Sequence, residues 1–306
     1  MGIISIINGS VDAESHELYV SNGKFCVNGT EISKVIGYSK GKEFKDVTTL
    51  LNAGILEEFL NAGETLLKDS TSTTDIRKIQ FHSPIDKTAK ILCAGFNYYK
   101  HNAENNLSIP SMPYFFQRAF TTVVGPYDNI LKPKLTKKMD YETELAVMIG
   151  KKGKYISKSD AMEYVAGYFI VNDVSFRDYQ FNEYNSDIIK MFGQNWLYGK
   201  NMDRSFPSGP FLVPRIKCDK EYFELETRIN GERTQNASTR EMIYEISELV
   251  HFASQGITLL PGDVISTGTP EGTAKGGGHA YLMEGDIIEG TIYGIGTIRN
   301  KVVGEN

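Results

Sequence analysis

The chain has 306 residues, of which 41% are hydrophobic and 11% aromatic, enough for one large domain or for one large and one small domain. Its formal net charge is −5 and its basic residues form no long run, which argues against a nucleic-acid partner. No apolar stretch has the length that a bilayer crossing requires, so we expect no membrane partner. Cys26, Cys93 and Cys218 form no C-x-x-C pair, and the apolar start lacks the charged region of a signal peptide. We therefore expect a cytoplasmic protein.

The first 85 residues are polar and rich in turn-forming residues. They predict a first strand that ends in a hairpin turn at Asn8-Gly9, and one helix over about 48–67. A boundary is predicted near Pro84, where the hydrophobic pattern becomes stronger. This pattern divides the chain into a small N-terminal domain, residues 1–85, and a larger domain, residues 86–306.

The second part of the chain is typical of β structure with a few helices. Residues 91–94 predict a short buried strand, and from about residue 114 short strands are separated by Gly and Pro. A helix is predicted after Asp160 and ends at Gly167, and another over 239–254 begins with a Ser238–Glu241 capping box. The expected fold is α+β and mainly β, with the strands forming a roll or barrel.

Two carboxylates lead into an apolar strand. Glu142 and Glu144 are two residues apart, so in an extended chain they project from the same face, and the apolar run 145–149 follows them. Like charges beside a core are unfavourable unless a cation lies between them, and a divalent metal ion is the simplest such cation. The alternative is a solvated strand face, which this segment alone does not exclude.

A third carboxylate follows the next strongly apolar strand. Asp173 comes directly after residues 167–171 and Asn172, and Arg177 and Gln180 follow it three residues apart. Three carboxylates at strand ends would bind Mg²⁺ and leave coordination positions open for a substrate. Arg177 and Gln180 would then bind a carboxylate of that substrate.

Other polar residues offer acid-base and anion-binding chemistry. His101 and Glu104 lie three apart in a short predicted helix capped by Asn97, so the carboxylate can orient the ring and make it a general base. A surface helix contact is the alternative interpretation. Lys200 follows a glycine and could stabilise an enolate, although such a turn could equally be solvated. Thr269 lies in a loop that could hold a small anion but lacks the spacing of a nucleotide site.

From about Ile91 to Val303, these segments in this order resemble the fumarylacetoacetate hydrolase family. The Glu142/Glu144 segment and the Asn172-Asp173 segment are the most specific parts of the resemblance. The matching pieces are Gly95-Phe-Asn97-Tyr98 with His101-x-x-Glu104, Asp140-Tyr-Glu142-x-Glu144, Gly167-Tyr through Asn172-Asp173-Val-Ser-x-Arg177-Asp178-x-Gln180, Gly199-Lys200, Pro207-x-Gly209-Pro210, Asn230-Gly231-Glu232 with Gln235, Pro261-Gly262-Asp263, Thr267-Gly268-Thr269-Pro270 and Gly294-Ile-Gly296.

The resemblance implies a catalytic domain built as a mixed β roll, a small accessory domain, and a homodimer. It also implies Mg²⁺, or Mn²⁺ or Ca²⁺ in its place, and gives each candidate residue a role. The metal ligands would be Glu142, Glu144 and Asp173. The catalytic residues would be the His101–Glu104 dyad, on a segment that closes as a lid over the substrate, and Lys200. The substrate-binding residues would be Tyr98, Arg177, Gln180 and Thr269.

Within the family, residues 113–118 and 228–232 look most similar to the branch that acts on 2,4-dioxo acids. We therefore expect a hydrolase that breaks the C3–C4 bond of a 2,4-dioxo acid, giving pyruvate or a substituted pyruvate and a carboxylic acid. In this hypothesis His101 removes a proton from the water that attacks C4, and Lys200 stabilises the developing negative charge. Residues 181–194 are longer and more polar than in that branch and are expected to line the pocket.

Two alternatives stay open. Without attack by water, the same enolate chemistry supports isomerisation of an unsaturated dioxo acid, such as 2-hydroxyhepta-2,4-diene-1,7-dioate or 5-carboxymethyl-2-hydroxymuconate, or decarboxylation of an oxaloacetate-like acid. The other alternative is an inactive binding protein that a metal ion stabilises. In every case the expected partner is a small 2-oxo or 2,4-dioxo acid.

Overall fold

Strands predominate in the computed structural model, which describes residues 3–11, 16–38, 44–181 and 193–305. Eight helices of the described ranges connect or flank them. The strands are β1 (Ser5–Ser10), β2 (Glu17–Ser21), β3 (Phe25–Asn28), β4 (Thr74–Asp75), β5 (Gln80–Phe81), β6 (Ile91–Gly95), β7 (Tyr114–Arg118), β8 (Val123–Val124), β9 (Ile130–Lys132), β10 (Met139–Asp140), β11 (Thr143–Ile149), β12 (Val165–Asn172), β13 (Ser175–Phe176), β14 (Phe206–Pro214), β15 (Glu224–Ile229), β16 (Glu232–Ser238), β17 (Val264–Ser266), β18 (Ile287–Ile292) and β19 (Gly296–Gly304). The helices are α1 (Gly29–Val35), α2 (Val47–Ala53), α3 (Leu56–Leu66), α4 (Tyr99–Glu104), α5 (Arg177–Gln180), α6 (Trp196–Lys200), α7 (Ile246–Ala253) and α8 (Ala274–Gly277).

The described strands form three sheets. The largest has twelve strands in the path β4-β3-β2-β1-β14-β12-β11-β17-β6-β7, with β5 added beside β1 and β8 beside β14. A five-stranded sheet has the order β16-β15-β18-β19-β9, and β10 pairs with β13. The predicted mainly β, α+β fold is confirmed. None of the described helices combines the length and the apolar character that a membrane crossing requires.

Strand β11 lies at the centre of the large sheet and is buried on both faces, as its apolar sequence predicts. Leu145, Val147 and Ile149 pack into one hydrophobic core with residues of the five-stranded sheet. Ala146 and Met148 pack into the other core, on the opposite face. Because side chains alternate along a strand, Glu144 projects from the same face as Ala146. The position of the carboxylate pair is therefore fixed by the burial of this strand.

The N-terminal segment continues the large sheet. β1 pairs with β14 through Ile6 and Leu212, so the first residues are hydrogen-bonded to a strand of the predicted catalytic domain. The expected hairpin turn at Asn8-Gly9 is wrong, because both residues lie inside β1 and pair with Leu18 and Glu17 of β2. The strand stays extended there because its ladder with β2 satisfies the backbone through Gly9. The boundary at residue 85 stays a prediction.

Three predicted helices differ from those observed. The single helix over 48–67 is two helices, α2 and α3, because Gly54 adopts a left-handed conformation with φ 71° and ends α2. The Ser238–Glu241 capping box exists but begins a single 3₁₀ turn, and α7 starts later, at a second capping box formed by Glu245 and Glu248. The helix expected after Asp160 is only a 3₁₀ turn, since pairing within the sheet draws the following residues into β12.

A histidine pair in the N-terminal part gives a testable pH dependence. His82 Nε2 lies 2.9 Å from Ser10 Oγ, and the His82 ring lies 4.3 Å from the ring of His16. Burial, and then the charge of His16, lowers the pKa of His82. The unfolded chain therefore binds this proton more readily, so stability falls as the pH drops below about 6.5. We expect His82→Gln to lose less stability than the wild type between pH 7 and pH 5, measured by urea unfolding. Equal losses would contradict this assignment.

Candidate active site

The ends of the central strands open into a cleft of about 610 Å³, including its open mouth. We call it the acid cleft, because three buried carboxylates lie at its base. It is lined by Ala94, Gly95, Phe96, His101, Asn105, Leu107, Phe116, Glu142, Glu144, Asp173, Arg177, Gln180, Phe181, Gln194, Trp196, Lys200, Thr269 and Lys275. Of the 181–194 segment, the two ends line the cleft as predicted, whereas residues 182–192 lie outside the described residues.

Glu142, Glu144 and Asp173 come together as the sequence predicts. One carboxylate oxygen from each lies within 4.8 Å of the others, and all three side chains are buried. The cause is the antiparallel pairing of β11 with β12, which places Thr143 opposite Asn172. Beyond this pair, the Asp173 N–H donates to the Glu142 carbonyl at 2.8 Å, so the two acids face each other at adjacent strand ends.

Lys200 lies between two of these acids. Its Nζ donates to Glu142 Oε2 at 2.6 Å, to Asp173 Oδ2 at 2.6 Å and to the Asp173 carbonyl at 3.1 Å. Burial lowers the pKa of Lys200, but the charges of Asp173 and Glu142 outweigh this effect and raise that pKa. The side chain is therefore an ammonium ion held inside the acid cluster. The sequence alone did not indicate these direct contacts with the carboxylates.

Two buried arginines complete the cluster. Arg177 donates from Nε to Asp140 at 2.8 Å and from Nη2 to Glu142, and Arg118 donates from Nη1 to Asp173. With Asp140 included, four carboxylates face three cations among the described residues, which leaves one formal negative charge on this part of the cluster. A buried excess of negative charge is unfavourable, so the site favours one further cation.

The uncompensated carboxylate is Glu144. It accepts hydrogen bonds from the Ser266 hydroxyl and, at 2.9 Å, from the Gly268 N–H. Burial, and then the charges of Asp173 and Glu142, raise its pKa well above the usual range. For Glu142, burial also raises the pKa, but the Arg177 and Lys200 charges hold it well below its usual range. The oxygen donors come from three carboxylates, one of which forms no ion pair within the described ranges, and such a set fits a hard divalent ion such as Mg²⁺ or Mn²⁺.

The predicted dyad is formed. His101 Nδ1 lies 3.0 Å from Glu104 Oε1, and Glu104 Oε2 accepts the Gly272 N–H at 3.1 Å. His101 is buried and lines the same cleft as the acids. Asn97 does not cap α4 as expected, because its amide donates instead to the Thr267 carbonyl at 2.8 Å and to a second carbonyl. This anchor fixes the start of the dyad segment to the strand ends.

The predicted substrate-binding residues have different environments. Gln180 and Thr269 line the cleft, and Thr269 Oγ1 donates to the Thr143 carbonyl at 3.1 Å. All three guanidinium nitrogens of Arg177 already donate to protein acceptors, including Gln180 Oε1 at 2.9 Å. Tyr98 is buried and is not among the residues that line the cleft. The substrate contacts of these four residues stay predictions.

Sequence reasoning missed two residues of the buried charge cluster: Arg118, which binds a metal-ligand candidate directly, and Asp140, which binds Arg177. Arg118, 1% exposed, binds Asp173 and also donates to Ser205 Oγ at 2.6 Å. Its signal was present: Phe116 and Arg118 alternate along β7, which places a cation on the inward face of a strand. Asp140 was less clearly indicated, since only its nearness to Glu142 distinguished it from other carboxylates of the chain.

Comparisons with known proteins agree with this geometry. The family model described as fumarylacetoacetate (FAA) hydrolase C-terminal matches residues 90–303. The chain belongs to the fumarylacetoacetate hydrolase family. A mitochondrial oxaloacetate tautomerase of Rattus norvegicus is 36% identical over 255 residues, which cover 80% of this chain and 79% of that protein. The resemblance proposed from the sequence is thereby confirmed.

Solved structures of this family extend the comparison. A probable 2-hydroxyhepta-2,4-diene-1,7-dioate isomerase from Mycobacterium abscessus is 27% identical, with a TM-score of 0.76 and 99% of each chain covered. A fumarylpyruvate hydrolase from Pseudomonas aeruginosa, solved with Mn²⁺ and pyruvate, is 30% identical with a TM-score of 0.64. That comparison covers 74% of this chain and 92% of the hydrolase. Members of the fumarylacetoacetate hydrolase family are therefore enzymes with several related activities, and they include a protein that binds a divalent ion.

Proposed function

We propose that this protein is a metal-dependent enzyme that interconverts the enol and keto forms of an oxaloacetate-type 2-oxo acid. The observation that carries the proposal is the placement of a His–Glu dyad and a buried three-carboxylate cluster in one cleft. The similarity to an oxaloacetate tautomerase over 80% of the chain supports this reaction in particular. The ligands of the ion would be Glu142, Glu144 and Asp173.

The chain's own groups are suited to moving a proton. A divalent ion bound by the three acids would polarise the 2-oxo group. Glu104 holds the Nδ1 side of His101, which leaves Nε2 as the ring nitrogen that gives a proton to C3 or takes one from it. Lys200, beside the acids, would stabilise negative charge on the 2-oxo oxygen. The enol loses its hydroxyl proton and gains one at C3, so no co-reactant is consumed.

Hydrolysis of a 2,4-dioxo acid is the second candidate. The same dyad favours it, because an oriented imidazole can remove a proton from water as well as from carbon. The similarity to a fumarylpyruvate hydrolase supports this alternative, which is also the reaction expected from the sequence. The two reactions differ in product, since only hydrolysis releases pyruvate from an acylpyruvate.

A kinetic comparison tests the proposed reaction. With Mg²⁺ present, the wild type is expected to accelerate the loss of enol-oxaloacetate absorbance over Mg²⁺ alone, and to release no pyruvate from acetylpyruvate. His101→Asn is expected to lower the rate about 100-fold or more, because it removes the acid-base group. The control is His251→Asn, since His251 bonds the Ile156 carbonyl at 2.6 Å outside the cleft. Pyruvate release without tautomerisation would favour the hydrolase. If the protein showed neither activity, both candidate functions would be refuted.

A further inference from the structure

Among the described residues, four basic side chains line the acid cleft, and one of them differs from the others. His101, Arg177 and Lys200 each contact a carboxylate. The fourth, Lys275, has no carboxylate partner within ion-pair distance in the described part of the chain. Its Nζ donates to Asn105 Oδ1 at 2.9 Å and lies 4.3 Å from the centre of the Phe181 ring. Lys275 is exposed and therefore presents a cation to the cleft that no carboxylate of the described residues contacts.

The backbone of Lys275 is fixed relative to the metal-ligand candidates. Its N–H donates to Asp140 Oδ2 at 3.2 Å, and the N–H of Ala274 donates to Asp140 Oδ1 at 2.8 Å. Asp140 is fully buried and binds Arg177, which in turn binds Glu142. One carboxylate thus joins the start of α8 to the acid cluster, so the backbone of Lys275 is held in place relative to the metal-ligand candidates.

Helix α8 also packs against the dyad. A Cβ atom at Gly276 would clash with the Glu104 carboxylate, so the two helices are in close contact. Asn105, the partner of Lys275, directly follows α4 and donates its amide to the His101 carbonyl at 2.9 Å. Lys275 therefore lies on the dyad side of the cleft, and a substrate group bound by it would extend past His101.

Charge indicates what the lysine would bind. The acid cluster carries one formal negative charge, so a dication would leave one positive charge there, which matches the single carboxylate of a 2-oxo acid. Lys275 is a further positive charge in the same cleft, and a second carboxylate would match it. Burial, and then the charge of Arg177, lowers the pKa of Lys275 more than the charges of Asp140, Glu104 and Glu142 raise it. An anion beside Lys275 would therefore relieve an unfavourable environment.

We propose that Lys275 binds the second, distal carboxylate of a dicarboxylic 2-oxo acid and thereby determines substrate specificity. This inference rests on the proposed function, because it assumes that the 2-oxo acid end binds at the acid cluster. A monocarboxylic 2-oxo acid would occupy the metal end of the cleft and leave Lys275 without a partner.

Binding of two matched compounds tests the proposal. Oxaloacetate and 2-oxobutyrate have the same chain length and differ in a carboxylate against a methyl group. The only tryptophan of the sequence, Trp196, lines the cleft and stacks on Phe116 at 4.6 Å, so its fluorescence reports occupancy. With the Mg²⁺-loaded protein, Lys275→Met is expected to weaken oxaloacetate binding about 10- to 100-fold, as for a lost hydrogen bond to a charged group. Binding of 2-oxobutyrate should stay within about twofold of the wild type, since that compound lacks the group that Lys275 binds.

Two variants serve as controls. Lys275→Arg keeps the charge and is expected to retain the preference for oxaloacetate, and Lys152→Met removes an exposed lysine that does not line the cleft. If Lys275→Met weakens both compounds equally, or neither, the inference is wrong and the residue is structural or simply solvated. The turnover assay is separate: a Lys275-dependent preference in a protein without tautomerase activity would refute the proposed reaction and leave the carboxylate site standing.

Discussion

Asp173→Asn is expected to abolish metal-dependent turnover and to weaken Mn²⁺ binding by more than about 100-fold, beyond the loss typical of a group that only supports a metal ligand. The substitution keeps the shape of the side chain and removes the charge. In the wild type this charge is shared by Lys200, at 2.6 Å from Oδ2, and by Arg118. A neutral amide at this position would leave the two cations to repel the incoming ion without compensation. Titration calorimetry with Mn²⁺ measures the affinity.

A second buried carboxylate provides the matched control for this experiment. Asp178, 2% exposed, accepts hydrogen bonds from Thr136 Oγ1 and from the Lys137 N–H at 2.7 Å each, outside the residues that line the cleft. Asp178→Asn is expected to lower the stability without changing the Mn²⁺ affinity. If Asp173→Asn, folded by circular dichroism, bound Mn²⁺ as tightly as the wild type, the assignment of the metal ligands would be incorrect.

Lys200→Met is expected to destabilise the metal-free protein by about 3–5 kcal/mol, because it removes a buried cation and leaves its partners uncompensated. The unpaired oxygens would belong to Glu142 and Asp173, both buried. A saturating divalent ion should restore most of this loss, since it supplies positive charge to the same oxygens and binds only the folded state. The measurement is urea unfolding with EDTA and again with Mg²⁺.

Recovery by the metal separates this effect from ordinary loss of an ion pair. Lys90 lies 2.5 Å from the buried Asp263 carboxylate, which is not among the residues that line the cleft. Lys90→Met is expected to destabilise the protein equally with and without Mg²⁺. A Lys200→Met variant that Mg²⁺ did not stabilise more than it stabilises the wild type would show that Lys200 does not neutralise the metal-binding oxygens.

The metal-ligand candidates were predictable because strand geometry is local and periodic. The two-residue spacing of Glu142 and Glu144 fixes their common face, and the apolar run after them predicts a strand buried on both sides. The position of Asp173 required one further assumption, that its strand pairs beside β11, and this is observed. The His101–Glu104 contact follows from spacing within one helix in the same way.

The remaining features depend on long-range contacts that a single sequence does not contain. Arg118 reaches Asp173 across 55 positions of the chain, and Asp140 reaches the start of α8 across 134. Alternation along β7 indicates that Arg118 faces inward, but no local pattern indicates the partner of either side chain. Local signals also failed where pairing in the sheet outweighed them, as at Asn8-Gly9, whose turn-forming residues are held in a strand by β2.

The pairing of β1 with β14 has a consequence for any shortened form of this protein. The match to the family model begins at residue 90, so a chain shortened to that match would lack β1. The backbone groups of β14 that pair with β1 would then be exposed. Unsatisfied N–H and carbonyl groups in a row recruit other chains, which leads to association and precipitation. The N-terminal residues thus cover one edge of β14, and a version of the protein that stays monodisperse on expression is expected to need them.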